Sequence, residues 1–191
     1  MIKIGIIIGS TRPGRNGDAV ARWTYDLATK RGDAVYEIVD LAEYSLPHLD
    51  EPMPAAYGQY NHAHTKAWSE KIASFDGFIF VTPEYNSSTP GALKNALDFL
   101  HAEWADKAAG IVSYGVDGGA RAAEHLRQVL GRLRIADVSA QVTLSIFNDF
   151  ENMTAFKPAF HKEEALTSML DQLVAWGTAL HGLRSNAAVA A

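Results

Sequence analysis

The stretch Ile2-Lys3-Ile4-Gly5-Ile6-Ile7-Ile8-Gly9-Ser10-Thr11-Arg12-Pro13-Gly14-Arg15-Asn16-Gly17 decides the fold. Its first half is nearly continuous in β-branched residues, the pattern of a strand buried on both faces of a parallel sheet. Its second half is a polar, glycine-bearing loop. Beyond the loop Val20, Trp23, Leu27 and Ala28 share one helical face, and Arg31-Gly32 supplies a stop.

Further along, Gly77 to Thr82 and Ala108 to Ser113 repeat the buried-strand pattern, Ala34 to Asp40 alternates as an edge strand does, and Ala136 to Leu144 is a weaker fifth candidate. Helical stripes lie between them. Trp68, Ile72 and Phe75 mark one. A second begins with Thr89 as N-cap and Pro90 at the first helical position, and carries Leu93, Ala96, Leu97, Leu100 and Trp104. A third carries Ala122, Leu126, Val129, Leu130 and Leu133, and the last Leu166, Met169, Leu170, Leu173 and Leu180. Five alternations predict an α/β doubly wound parallel sheet in the flavodoxin-like order 2-1-3-4-5, with helices on both faces. Residues 1–185 read as a single domain and 186–191 as a frayed tail. Residues 41–60 and 145–161 read as surface loops.

The chain has 191 residues, 48% hydrophobic and 20% charged, which suits one globular domain. A net charge of −5 argues against nucleic acid as the main partner. The absence of cysteine excludes disulfides, thiolate nucleophiles and cysteine-ligated clusters, so any redox chemistry needs a bound cofactor. No signal-peptide pattern and no run of about 18 apolar residues is present, so the expectation is a cytoplasmic protein off the membrane.

In a doubly wound sheet, ligands sit outside the carboxyl ends of the strands where their order reverses. Three loops lie there. Gly9 to Gly17 is neither G-x-G-x-x-G nor a Walker loop, but offers hydroxyls, helix amides and two arginines, which suit a terminal phosphate. A solvated turn fits the same residues. Thr82-Pro83-Glu84-Tyr85-Asn86-Ser87-Ser88-Thr89-Pro90-Gly91 is stiffened by two prolines and offers backbone donors and an aromatic wall, Tyr85, for a flat heteroaromatic ring. Taken alone it is also an ordinary turn into a helix. Ser113-Tyr114-Gly115-Val116-Asp117-Gly118-Gly119 permits close approach, and the helix opened by Gly119 could turn a positive end toward developing negative charge, although a flexible turn fits the same residues equally well.

Together these residues resemble the NADPH-dependent FMN reductase family of flavodoxin-like proteins, which includes quinone, azo-dye and chromate reductases. The likeness rests on Gly9-Ser10-Thr11-Arg12, on Thr82-Pro83-Glu84-Tyr85-Asn86 with Pro90-Gly91, Lys94-Asn95 and Asp98, and on Ser113-x-Gly115 followed by Gly118-Gly119. It runs over about residues 2 to 135. The resemblance implies an FMN site, with NADPH or NADH as co-substrate and a small-molecule electron acceptor. Ser10 and Arg12 would hold the phosphate, helped by Arg15 and the backbone of Asn16 and Gly17. Pro83, Glu84, Tyr85, Asn86 and Ser87 would run beside the ring, and Ser113, Tyr114 and Gly115 along another part of it. No side chain is expected to be catalytic, because the flavin carries the chemistry. The resemblance also implies a homodimer or tetramer, with Lys94 and Asp98 near its contacts.

Seven histidines invite a metal site, but none is expected. His62 and His64 are two apart, nearly opposite on a helix. The tryptophans read as core or interface packing. Two other classes remain open: a flavodoxin-type electron carrier without direct NAD(P)H activity, and a flavin-free scaffold. NADPH oxidation with free quinone separates the first from an enzyme, and flavin absorbance dismisses the second.

Overall fold

A computed structural model describes residues 1–189, with side chains through 185. Strands β1 (Lys3–Ile8), β2 (Val35–Asp40), β3 (Gly77–Pro83), β4 (Lys107–Gly115) and β5 (Ile135–Ser145) form one sheet in the order β2-β1-β3-β4-β5, every pair parallel. This is the expected flavodoxin-like order. Around it lie α1 (Gly17–Thr29), α2 (Leu41–Tyr44), α3 (Ala63–Ala73), α4 (Gly91–Asp98), α5 (Ala120–Arg132) and α6 (His161–Val189). None of these helices is long and apolar enough to cross a membrane.

The period-2 geometry of a strand divides β1 between two cores. Ile4, Ile6 and Ile8 face α1 and α6, packing with Val20, Leu166, Leu170 and Leu173. Ile7 faces the other way, among Trp68 of α3, Leu93 and Leu97 of α4, and Leu126 and Leu130 of α5. Within that second core Trp104 meets Phe78 at 4.9 Å between ring centroids. The indole N–H groups are satisfied, Trp68 donating to Ala96 O at 2.9 Å and Trp104 to Leu97 O at 3.2 Å. Removing one such buried aromatic costs about 3–5 kcal/mol.

Register places the site. Ile8 pairs with both Asp40 and Val81, so β1 and β2 end level, β3 runs two residues further to Pro83, and the loops after β1 and β3 lie side by side at the point where strand order reverses.

Several boundaries differ from the sequence reading. Helix α4 begins at Gly91 with Pro90 as its N-cap in extended backbone (ψ 142°), and Lys94 N closes the first turn on Pro90 O. Thr89 is therefore not the cap; its hydroxyl meets the Thr82 hydroxyl at 3.0 Å. Phe75 and Trp104 lie beyond the ends of α3 and α4, and reach the core from turns. Trp176 is exposed.

The connections are also more ordered than expected. Residues 41–60 contain α2 and a 3-10 turn, Ala55–Tyr57. Asn95 holds this segment by donating to Pro47 O (2.7 Å) and accepting from Leu49 N (3.0 Å). Residues 145–161 contain a hairpin, β6 (Phe150–Glu151) and β7 (Ala155–Phe156), whose phenylalanines pack on each other and on Trp23. Helix α6 continues through 186–189, where a frayed tail was expected, because Ala-Ala-Val contains no helix breaker. Residues 190–191 lie outside the described ones.

Candidate functional site

Helix α1 opens on Gly17, and its N-cap Asn16 makes no side-chain capping bond. No partner within the described residues takes the first amides of this helix, which therefore point out of its positive end. Gly17 is required by what lies above it. A Cβ there would stand 3.0 Å from Tyr114 Oη and 3.2 Å from Ile8 Cγ2. Tyr114 is 4% exposed, and its hydroxyl has no hydrogen-bond partner among the described residues. Burial pushes this phenol well up, so it stays a protonated donor. A buried unsatisfied hydroxyl costs about 1–3 kcal/mol unless something completes it.

These features share one groove of about 210 Å³, lined by Arg12, Arg15, Asn16, Pro83, Glu84, Tyr85, Tyr114, Gly115, Val116 and Ile146. Gly115 lets Glu84 and the Gly119 turn approach closely, since a Cβ there would stand 3.3 Å from Glu84 Cβ and 3.4 Å from Gly119 N. Most of the residues singled out in the sequence therefore converge. Val116 and Ile146 were missed. Ile146 is fixed to the site by its N–H on Gly115 O at 2.9 Å, a contact across 31 residues that no local pattern signals. A cavity of about 320 Å³ on the other side of the loop after β1 touches only Thr11 of that loop and includes none of the expected site residues.

Individual roles differ from expectation. Ser10 is buried, and its hydroxyl meets Tyr85 Oη at 2.9 Å, joining the loop after β1 to the loop after β3. Tyr85 thus ties the loops together besides forming a wall. Arg12 is exposed with its guanidinium 5.9 Å from the Tyr85 ring centroid, and makes no ion pair among the described residues. Arg15 is already engaged: Nε on Asp18 (2.7 Å), Nη1 on Ser10 O (2.8 Å) and Nη2 on Asp40 (2.5 Å). Burial alone would lower its pKa, but the hydrogen bonds and charges of Asp18 and Asp40 outweigh it and raise it. Arg15 therefore lines the groove but is spent on bracing its loop.

The loop after β3 is a tight reversal. Tyr85 N donates to Ser88 O at 2.9 Å and Ser88 N to Tyr85 O at 3.1 Å, with Asn86 at φ 51° and Ser87 at φ 65°. Two positive φ values in succession match a type I′ turn, which Asn tolerates better than Ser. The exposed Asn86 and Ser87 are absent from the groove lining. Ser113 does not reach the groove: its buried hydroxyl donates to Gly118 O at 2.8 Å and holds the next turn.

The expectation for α5 changes as well. Its N-terminal amides are already used, Arg121 N donating to Glu84 Oε2 at 3.1 Å and Ala122 N to the same oxygen at 3.4 Å. His62 and His64 are not on opposite helical faces. His62 is the extended N-cap of α3, so helical spacing does not apply, and the two rings stack 5.2 Å apart against Asp50. Lys94 and Asp98 pair at 2.6 Å on exposed side chains.

A 2-1-3-4-5 sheet with an anion-ready helix terminus at its switch point defines a flavodoxin-like protein built to hold an anionic ligand there. The model of the NADPH-dependent FMN reductase family matches residues 2–149, and the chain belongs to that family. It is an NAD(P)H-driven flavin oxidoreductase with FMN as cofactor. Over 146 residues it is 43% identical to an NAD(P)H-dependent FMN reductase of Schizosaccharomyces pombe, covering 74% of this chain and 73% of the relative. It is 36% identical over 138 residues to a quinone reductase of Escherichia coli, covering 68% and 69%. The flavoenzyme NAD(P)H:(acceptor) oxidoreductase FerB of Paracoccus denitrificans superposes with a TM-score of 0.71 over 93% of this chain and 98% of that one, at 21% identity, a likeness of fold.

Proposed function

We propose that this protein passes electrons from NAD(P)H through FMN to a quinone or a similar small acceptor, and that the groove beneath Tyr114 holds the cofactor. The observation that carries the placement is the coincidence of two unmet needs in one groove: the free amides of α1 and the orphaned Tyr114 hydroxyl. A phosphorylated ligand with hydroxyls along its chain meets both.

In this reading Ser10, Arg12 and the amides at Asn16 and Gly17 bind the phosphate, while Arg15 positions Ser10 through its carbonyl. Tyr114 would donate its hydroxyl to the ligand. Pro83, Glu84, Tyr85 and Gly115 would line the ring, held in place by the turn at Asn86 and Ser87, with Val116 and Ile146 excluding water beside it. Ser113 acts through Gly118. Bound FMN supplies hydride acceptance at N5 and onward transfer to the acceptor, so the protein need provide no nucleophile or strong base. Quinone acceptance is supported by the quinone reductase relative. Residues 1–185 act as a single domain, the assembly is a homodimer or tetramer with Lys94 and Asp98 near its contacts, and the compartment is the cytoplasm.

The test is the visible spectrum of purified protein supplied with FMN, before and after anaerobic NADPH. Flavin bands that bleach with NADPH and return with a quinone are expected. Protein that takes up no FMN overturns the reading. FMN uptake without NADPH oxidation makes it a flavodoxin-type carrier.

A further inference from the structure

Helix α5 has no cap of its own. Its N-cap is Gly119, at φ 75° and without a side chain. The cap comes instead from Glu84, more than thirty residues earlier, in the loop after β3. The Glu84 carboxylate is 12% exposed, takes Arg121 N and Ala122 N through one oxygen, and takes the Arg121 guanidinium through the other at 3.0 Å. Its backbone N–H extends the sheet by donating to Tyr114 O at 3.0 Å. Asp117 joins from the opposite side, 2.9 Å from Arg121. Two carboxylates therefore face one guanidinium, Glu84 being the member of the cluster that lines the groove, and the positive end of α5 is covered by a full negative charge. This arrangement disfavours extra negative charge in the groove, because the nearest helix dipole on that side is neutralised before any ligand arrives.

We infer that Glu84 is a positioning residue that sets the reduction potential of the bound cofactor, by capping α5 and making that wall of the groove net negative. The inference rests on the FMN reading above. Reduction leaves negative charge on the ring edge of the flavin, so a neighbouring carboxylate weakens binding of the reduced form more than of the oxidised form. The same bonds fasten the ring-bearing loop to α5, so Glu84 links ring position and ring electronics in one side chain.

The experiment compares wild type, Glu84→Gln and Arg121→Gln, each loaded with FMN, by the dissociation constant for oxidised FMN and by the midpoint potential in an anaerobic spectroelectrochemical titration. Glutamine keeps one oxygen for the Arg121 and Ala122 amides, and loses the charge together with the acceptor for the Arg121 guanidinium. Glu84→Gln is expected to leave the oxidised FMN dissociation constant within about threefold and to favour the reduced form about tenfold, which for a two-electron couple raises the potential by about 30 mV. Arg121→Gln, at an exposed side chain that should fold in any case, is expected to shift the potential the other way, because it leaves Glu84 and Asp117 uncompensated. Unchanged potentials in both variants, or shifts of the same sign, overturn the inference and leave Glu84 a purely structural cap. Wild type that binds no FMN overturns the cofactor reading itself, and is told apart by the first measurement alone.

Discussion

Arg12 and Arg15 lie three residues apart in one loop, and their surroundings give them different work. Arg15 is ringed by Asp18, Asp40 and the Ser10 carbonyl, whereas Arg12 stands exposed at the groove mouth beside Tyr85. Arg12→Ala is expected to weaken FMN binding by about 1.5–3 kcal/mol, the range for a hydrogen bond to a charged group, and to leave riboflavin binding almost unchanged. Equal loss for both flavins in a fluorescence titration would remove Arg12 from the phosphate. Tyr85→Phe takes away the link to Ser10 but keeps the ring, so a loss of about 0.5–1.5 kcal/mol in FMN affinity is expected, with single-turnover flavin reduction at saturating FMN largely preserved. Abolished reduction would instead give the phenol a chemical role. Sequence alone identified both arginines as loop residues. The resemblance put Arg12 ahead of Arg15 for the phosphate, but nothing in the sequence showed the bracing role of Arg15, because its partner Asp40 comes from the end of a different strand.

At the scale of elements, the strands were legible because each central one is a short apolar run bounded by glycine or polar residues, and parallel pairing buries it on both faces. The hairpin at 150–156 was not. Its two-residue strands are too short to show alternation, and it is held by packing of Phe156 on Trp23, far away in sequence. The loop after β3 was legible in kind but not in mechanism. Its prolines signalled stiffness, while the turn at Asn86 and Ser87 owes its shape to two left-handed residues. That difference is testable. Ser87→Gly relieves a residue at φ 65° and is expected to raise stability by up to about 1 kcal/mol. Asn86→Ala loses the residue that tolerates this conformation and is expected to lower it by about 1 kcal/mol. Thermal unfolding of the two variants checks the pair, and a shift in the same direction for both would show that backbone strain is not what the turn stores.

Over the whole molecule, the two ends of the sheet have separate electrostatics. The carboxyl end carries the groove, with its free helix amides and the Glu84 cluster. The amino end carries a structural clamp around Asp76, just before β3. Asp76 accepts from Lys3 N at 2.9 Å, meets His181 Nδ1 at 2.7 Å and pairs with Arg184 at 2.6 Å, which fastens α6 across the base of β1 and β3. Arg184 also donates to Asp106 O, so the clamp reaches the turn before β4. Burial alone would raise the Asp76 pKa, but the Lys3 amide, His181 and Arg184 together lower it below the usual carboxylate range. A carboxyl whose folded pKa is depressed stabilises the fold above its unfolded pKa of about 3.9, and that stabilisation is lost as pH falls through the folded value. Asp76→Asn should therefore be less stable than wild type at pH 7, by about 1.5–3 kcal/mol for the hydrogen bonds to charged groups that weaken. The gap should narrow steadily below about pH 4 as the wild-type carboxyl protonates. Urea unfolding of both proteins from pH 7 to pH 3 measures it. Because the clamp and the groove lie at opposite ends of the strands, the FMN dissociation constant at pH 7 should be the same in both. A pH-independent gap would show that the variant harms packing and not charge, while a matching loss of FMN affinity would show that the two ends of the sheet are coupled.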